Sequence, residues 1–244
     1  MTTEQLLELK KCCDPIHGAA FFISNYIKPP YGNKFNLWTN QYQFLNDMNC
    51  DRDLIYVKAR QTGFSTITNY YILWKLMFSA DKSNIALLTN YHTIGVATLN
   101  FIKNTHDALP DWIKEAIPID RCTANQITIR DNSLLHSDYK GYERLIRGTY
   151  FNMTVLEDAT TLDFSDYNFI WHNAKIRYGL TGGSKVIASM GIPTSDLKDV
   201  IDKPMLTHFV RHWDWWTNPN HDVSRYMRLK NDLPTWMFES EIAV

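Results

Sequence analysis

Leu54-Ile-Tyr-Val-Lys-Ala-Arg-Gln-Thr-Gly-Phe-Ser-Thr66, LIYVKARQTGFST, decides how the rest of the chain is read. Its first four residues are an apolar run with β-branched and aromatic members, the composition of a buried strand. Lys58 to Gly63 form a basic turn. Ser65-Thr66 then open a pattern carrying Ile67, Tyr70, Tyr71, Leu73, Trp74 and Met77, which reads as a helix to about Phe78, packed on a sheet and covered from outside. Strand, glycine turn, hydroxyl pair and helix is how a phosphate-binding loop is built. Backbone N–H groups and the helix N-terminus face the anion, and a hydroxyl is left for Mg²⁺. The usual spacing is G-x-x-x-x-G-K-S/T; here Lys58 stands where the first glycine belongs and Phe64 where the lysine belongs. The loop candidates are therefore Lys58, Arg60, Gln61, Thr62, Gly63, Phe64, Ser65 and Thr66, with Ser65 in the place of the metal-binding hydroxyl.

Further strands follow outward from this loop. Asn84 to Thr89, Met153 to Leu156, Lys185 to Ala188 and Leu206 to Trp213 are short apolar runs, and a helical pattern covers Thr93 to Leu109. A hairpin is expected between Ile127–Ile129 and Leu134-Leu135, turning on Asp131-Asn132. Strands separated by helices predict a mostly parallel α/β sheet with helices on both faces. Ligands of such sheets sit at the carboxyl ends of the strands, and the informative polar residues follow those ends: Lys58 to Ser65, Glu157-Asp158 and Ser189.

The bulk numbers narrow the class. At 244 residues, 45% hydrophobic and 21% charged, the chain supports a full core and nothing suggests disorder. A net charge of −1 lacks the basic excess of a dedicated nucleic-acid-binding domain, so any DNA contact must be local or shared with other chains. The 4 Cys show no C-x-x-C spacing, so reduced thiols are expected rather than a metal knot. No H-E-x-x-H and no G-x-S-x-G occurs. Residues 1–34 read as a helical preface with a Thr2 to Gln5 capping box, not a signal peptide, and no apolar run reaches membrane-spanning length.

Three other groups carry chemistry. An apolar strand ending in Glu157-Asp158 is how phosphate-loop ATPases place one acid near Mg²⁺ and another near the attacking water, although strands also end in merely solvated acids. Arg144-Leu-Ile-Arg147-Gly148 offers a guanidinium for developing phosphate charge, or a surface ion pair. Ser189-Met-Gly-Ile-Pro-Thr194 is either a γ-phosphate sensor or an ordinary turn.

In order along the chain, Phe35-x-Leu37-x-x-x-Gln41, VKARQTGFST, Arg147-Gly148, VLEDAT and VIASMGIPT resemble the N-terminal ATPase domain of the large terminase subunit of tailed bacteriophages. The resemblance spans roughly residues 35 to 240, and the family loop reads R-Q-x-G-K/F-S/T. It implies a P-loop NTPase of the additional-strand, catalytic-glutamate class over 35–244. It also implies ATP hydrolysis with Mg²⁺, powering translocation of double-stranded DNA into a procapsid. The implied partners are the portal protein, the small terminase subunit and further copies in a ring, in the host cytoplasm and away from membrane. By that resemblance Gln41 reads adenine, Arg60 with Lys58 replaces the loop lysine, and Ser65 and Glu157 hold Mg²⁺. Asp158 activates water, Arg147 acts across the subunit interface, and Ser189 couples hydrolysis to movement. The family usually has aspartate before glutamate, so the Glu157-Asp158 order leaves slow hydrolysis or swapped roles open. Large terminases also carry a C-terminal nuclease; the chain stops near where its linker would begin, so no nuclease activity is expected. A catalytically weak nucleotide-binding and docking module, or another P-loop translocase, are the competing readings.

Overall fold

The computed structural model describes residues 1–29, 34–50, 52–146, 151–162, 165–167, 170, 185–190, 202 and 208–243. Three helices precede the phosphate-loop strand: α1 (Thr3–Cys12), α2 (Gly18–Tyr26) and α3 (Thr39–Asp47). The capping box is present, Thr2 N–H donating to Gln5 Oε1 at 2.7 Å and Gln5 N–H to Thr2 Oγ1 at 3.2 Å. Then come β1 (Asp53–Lys58), α4 (Phe64–Phe78), β2 (Asn84–Thr89), α5 (His92–Asp107) and α6 (Asp111–Ala116). Strands β3 (Ile119–Thr123), β4 (Gln126–Ile129) and β5 (Asn132–Asp138) lead to α7 (Tyr142–Ile146) and β6 (Met153–Leu156). The chain closes with β7 (Lys185–Met190), β8 (His208–Trp213), α8 (Val223–Asp232) and α9 (Thr235–Glu241).

These strands form one sheet in the order β3-β4-β5-β2-β6-β7-β1-β8. From β5 to β8 every pairing is parallel, and β4 and β3 add an antiparallel edge. Strand β7 lies between β1 and β6, so a strand separates the phosphate-loop strand from the acidic one. That is the additional strand the sequence resemblance implied. The fold is an α/β P-loop NTPase fold.

Alternation explains why the strands read as unbroken apolar runs. Leu54, Tyr56, Ile85, Leu87, Met153, Val155 and Ile187 enter the core on the face covered by α2, α3, α4 and α5. Their neighbours Ile55, Val57, Ala86, Leu88, Leu156 and Ala188 pack on the other face with Tyr142, Phe151, Leu162 and Tyr167. A strand buried on both faces has no polar side to show. Helix α4 is likewise buried nearly all round, from Phe64 to Phe78. A small third cluster, Ala59, Trp215, Phe238 and Ile242, fastens the C-terminal helices to the loop after β1.

One expectation changes, and one strand was not foreseen. The β4–β5 turn falls on Arg130-Asp131, with Arg130 left-handed at φ 56, and Asn132 pairs with Ile129 inside the ladder. Asn132 is buried because its amide has tertiary work: Oδ1 accepts from Ser83 N–H at 2.6 Å and Nδ2 donates to the Leu76 carbonyl at 2.7 Å. Strand β3 has no apolar run behind it, since four of its five residues are exposed at the sheet edge. None of the four cysteines is in a disulfide; Cys12 is buried, which pushes its thiol up to about 12, whereas Cys13 and Cys122 are exposed.

Candidate functional site

The parallel strands bring their carboxyl ends to one edge, and there the loop after β1 meets the acids after β6. Gly63 precedes α4 in the left-handed region (φ 77) with no side chain capping the helix. The first N–H groups of α4 thus keep their capacity for an anion, and the helix dipole adds to it. Gly63 has little room: a Cβ would sit 2.8 Å from Gln41 Nε2 and 2.9 Å from the Trp38 ring. Gln61 is also left-handed (φ 61), as is Asp158 (φ 56) after β6. Non-glycine residues in this region are strained, and such strain tends to collect at working sites.

Side chains on every side hold the loop. Thr62 is buried and donates its hydroxyl to the Ala59 carbonyl at 3.1 Å. Asn40 Nδ2 donates to the Thr62 carbonyl at 3.4 Å and Asn218 Nδ2 to the Gln61 carbonyl at 2.7 Å. Arg225 reaches Gln61 Oε1 at 2.7 Å, and Arg60 N–H donates to the Glu241 carbonyl at 2.7 Å. The β1 turn is therefore shaped by a pre-strand helix and by the last 30 or so residues together.

Ser65, in the first turn of α4, donates its hydroxyl to Glu157 Oε1, joining the loop to the acidic strand end. Glu157 is fixed from two further directions: its N–H donates to the Leu88 carbonyl at 2.9 Å, and Tyr139 donates its hydroxyl to the Glu157 carbonyl. Burial, with the nearby Glu157 and Asp158 charges, pushes the Tyr139 hydroxyl well above its usual range, so it stays a donor. Lys58 Nζ lies 3.6 Å from Asp158 Oδ1. Asp158 is about half exposed there, so the ion pair contributes little stability and mainly keeps an ammonium beside the acids.

The fit to a metal is specific. Among the described residues no group of three or more His, Cys, Asp or Glu is arranged to hold a metal ion by itself. A hydroxyl and one carboxylate suit a hard cation that brings most of its oxygen ligands with it, as Mg²⁺ does with phosphates and water.

Several loop candidates take unforeseen places. Phe64 points away from the site into an aromatic cluster, with ring centroids 4.7 Å from Tyr56, 5.4 Å from Phe44 and 5.4 Å from Trp213. At 1% exposure its side chain contacts no ligand, and only its backbone N–H remains at the site. Arg60 turns outward, 65% exposed, to an ion pair with Glu241 at 2.8 Å. Lys58 is the loop cation that faces the acids. Gln41 is buried, its Oε1 accepting from Trp38 N–H at 3.0 Å, so it supports Gly63 rather than opening to a base. Thr66 is half-buried in the first turn of α4. Ser189 lies on β7 in register with Tyr56 of β1, and Arg147 and Gly191–Thr194 fall outside the described residues.

No protein-family model and no curated protein matches this sequence. Solved structures do. The large terminase ATPase domain of Thermus phage P74-26 superposes with a TM-score of 0.67 at 11% identity, covering 86% of this chain and 93% of that one. The HK97 bacteriophage large terminase gives 0.70 at 12% identity, over 91% of this chain and 53% of that one. The fold is that of a large-terminase ATPase domain. A large terminase of a thermophilic bacteriophage in complex with ADP gives 0.61 at 11% identity, over 85% of this chain and 53% of that one. This chain thus spans about half the length of two of these large terminases.

The terminase-like fold also exposes what sequence reading passed over. Tyr139, Asn40, Asn218, Arg225 and Glu241 all shape the site, yet lie 20 to 180 residues from the loop in no motif. Only Asn40 carried a signal, being next to the glutamine already singled out.

Proposed function

We propose that the chain is an ATP-hydrolysing motor domain that drives double-stranded viral DNA into a procapsid. The observation that carries this reading is the Ser65–Glu157 contact at the uncapped N-terminus of a helix following a glycine turn. Ser65 and Glu157 would hold Mg²⁺, which neutralises charge on the nucleotide phosphates when bound. Lys58 and the first N–H groups of α4 receive the phosphates. Asp158, on the Lys58 side of the pair, orients the attacking water and accepts its proton, while Glu157 stays on the metal side. Arg147 would act on the nucleotide of a neighbouring copy in a ring docked on the portal, with Ser189 following the γ-phosphate. The −1 net charge fits transient DNA contact, and the small terminase is the expected companion in the host cytoplasm.

Steady-state phosphate release tests this reading. Asp158→Asn is expected to lower turnover by about 10²–10⁴-fold, the usual worth of a positioned acid or base, with ATPγS binding retained. Equal turnover in the wild type, Asp158→Asn and Ser65→Ala would contradict it. One observation favours a second reading: with Phe64 in the core and Arg60 on Glu241, the loop shows the phosphates little positive charge. Tight ATPγS binding with turnover at background, even at high protein concentration, would make the chain a nucleotide-binding docking module.

A further inference from the structure

Along the turn after β1 it is the carbonyls that the protein ties down. The Thr62 hydroxyl holds the Ala59 carbonyl, Asn218 the Gln61 carbonyl, Asn40 the Thr62 carbonyl and Ile67 N–H the Gly63 carbonyl. No described residue accepts from the N–H groups of Thr62 to Thr66. A trans peptide carries its C=O and N–H on opposite sides. Tying a carbonyl therefore turns the next N–H the other way, and successive N–H groups turned to one side make an anion cradle.

The tie from Asn218 is the most fully built. At 2.7 Å it is much shorter than the 3.4 Å bond from Asn40. It also acts on the residue that needs holding, since Gln61 is left-handed at φ 61 without being a glycine. Asn218 is 8% exposed and both its polar atoms are engaged. Its Oδ1 accepts from Asn220 N–H at 2.9 Å, and the second hydrogen of Nδ2 goes to His221 Nε2 at 3.1 Å. His221 can accept there because its Nδ1, 2.8 Å from the Trp215 carbonyl, carries the ring hydrogen. The His221 ring stacks on Trp215 with centroids 3.5 Å apart. The amide thus has one orientation; reversing it would set oxygen against the Gln61 carbonyl.

We propose that Asn218, oriented by His221, is a positioning residue for phosphate binding. It holds Gln61 left-handed, so that the N–H groups that follow meet the phosphates without first reorganising. In this role neither side chain touches the nucleotide. Affinity for phosphate then depends on a segment that returns to the loop only because β8 lies beside β1. The inference deepens the nucleotide-binding reading of the loop and rests on it.

Calorimetry of the whole chain with Mg²⁺ and inorganic tripolyphosphate, which has no base, reads the effect on phosphates alone. The amide NMR signal of Gly63 reads its cause. Asn218→Asp keeps the size and the bond from Asn220 but faces the Gln61 carbonyl with an oxygen. It is expected to weaken tripolyphosphate about ten-fold. It should also abolish the downfield shift that Gly63 N–H shows at saturation in the wild type. His221→Phe keeps a ring on Trp215 but removes the acceptor, and is expected to weaken tripolyphosphate about three-fold. Should Asn218→Asp fail to fold, Asn218→Ala is read in the same way. Wild-type affinity in the Asn218 variant, or weaker binding with the Gly63 shift intact at saturation, would overturn the positioning role and leave the phosphate site standing. Wild-type affinity in His221→Phe alone would overturn the part given to His221. A wild type that binds no tripolyphosphate would overturn the nucleotide-binding reading, and the positioning role with it.

Discussion

Phe64 shows how far spacing determines a role. The pattern puts it where a phosphate-binding lysine belongs, but the side chain packs among Phe44, Tyr56 and Trp213. Its partners come from three separate elements, so no local window reveals them. What the sequence does carry is the glycine before it and the hydroxyl after it, and both stand where the pattern puts them. A Phe64→Lys substitution removes about 3–5 kcal/mol of packing and forces an ammonium to be buried or to pull out of the core. Urea denaturation is expected to show a chain that is unfolded or has lost most of its stability. Phe64→Leu should keep the fold and its affinity for ATPγS. Wild-type stability of Phe64→Lys would show that the residue faces the site after all.

At the scale of elements, two contacts make predictions. Helix α9 holds Arg60 through Glu241, an exposed ion pair worth about 1 kcal/mol or less. Glu241→Ala should therefore leave the melting temperature almost unchanged, because the backbone bond from Arg60 to residue 241 remains. If Arg60 serves the phosphates once released, ATPγS binding in that variant tightens several-fold; unchanged binding would remove Arg60 from the site. The second contact is the seam of α5 on β5, where His136 Nε2 lies 1.8 Å from the place of a Gly95 Cβ. Burial, helped by the His92 charge, lowers the His136 pKa from 6.5 to about 4. Between these values the unfolded chain binds more protons than the folded one, so this residue makes stability rise with pH from about 4 to 6.5. Melting curves across that window should show the slope, and His136→Asn should flatten it. An unaltered slope would place the titrating group elsewhere.

Over the whole molecule, the parallel order and the strand-end clustering were legible because strands buried on both faces leave long apolar runs. The acids and hydroxyls at their ends then stand out. The edge strand β3 was not legible, since its exposed face carries no pattern. The site's outer wall was not legible either: Asn218, Arg225 and Glu241 reach the loop only because β8 lies beside β1 and returns the chain there. Topology, not motif, puts them in place. The central claim is that Ser65 and Glu157, 92 positions apart, hold one metal with the nucleotide. Electron paramagnetic resonance of Mn²⁺ titrated into the chain with ATPγS tests it most directly. One nucleotide-dependent Mn²⁺ per chain is predicted, weakened about ten-fold or more by Ser65→Ala and by Glu157→Gln without loss of fold. Identical Mn²⁺ binding in all three proteins would contradict it.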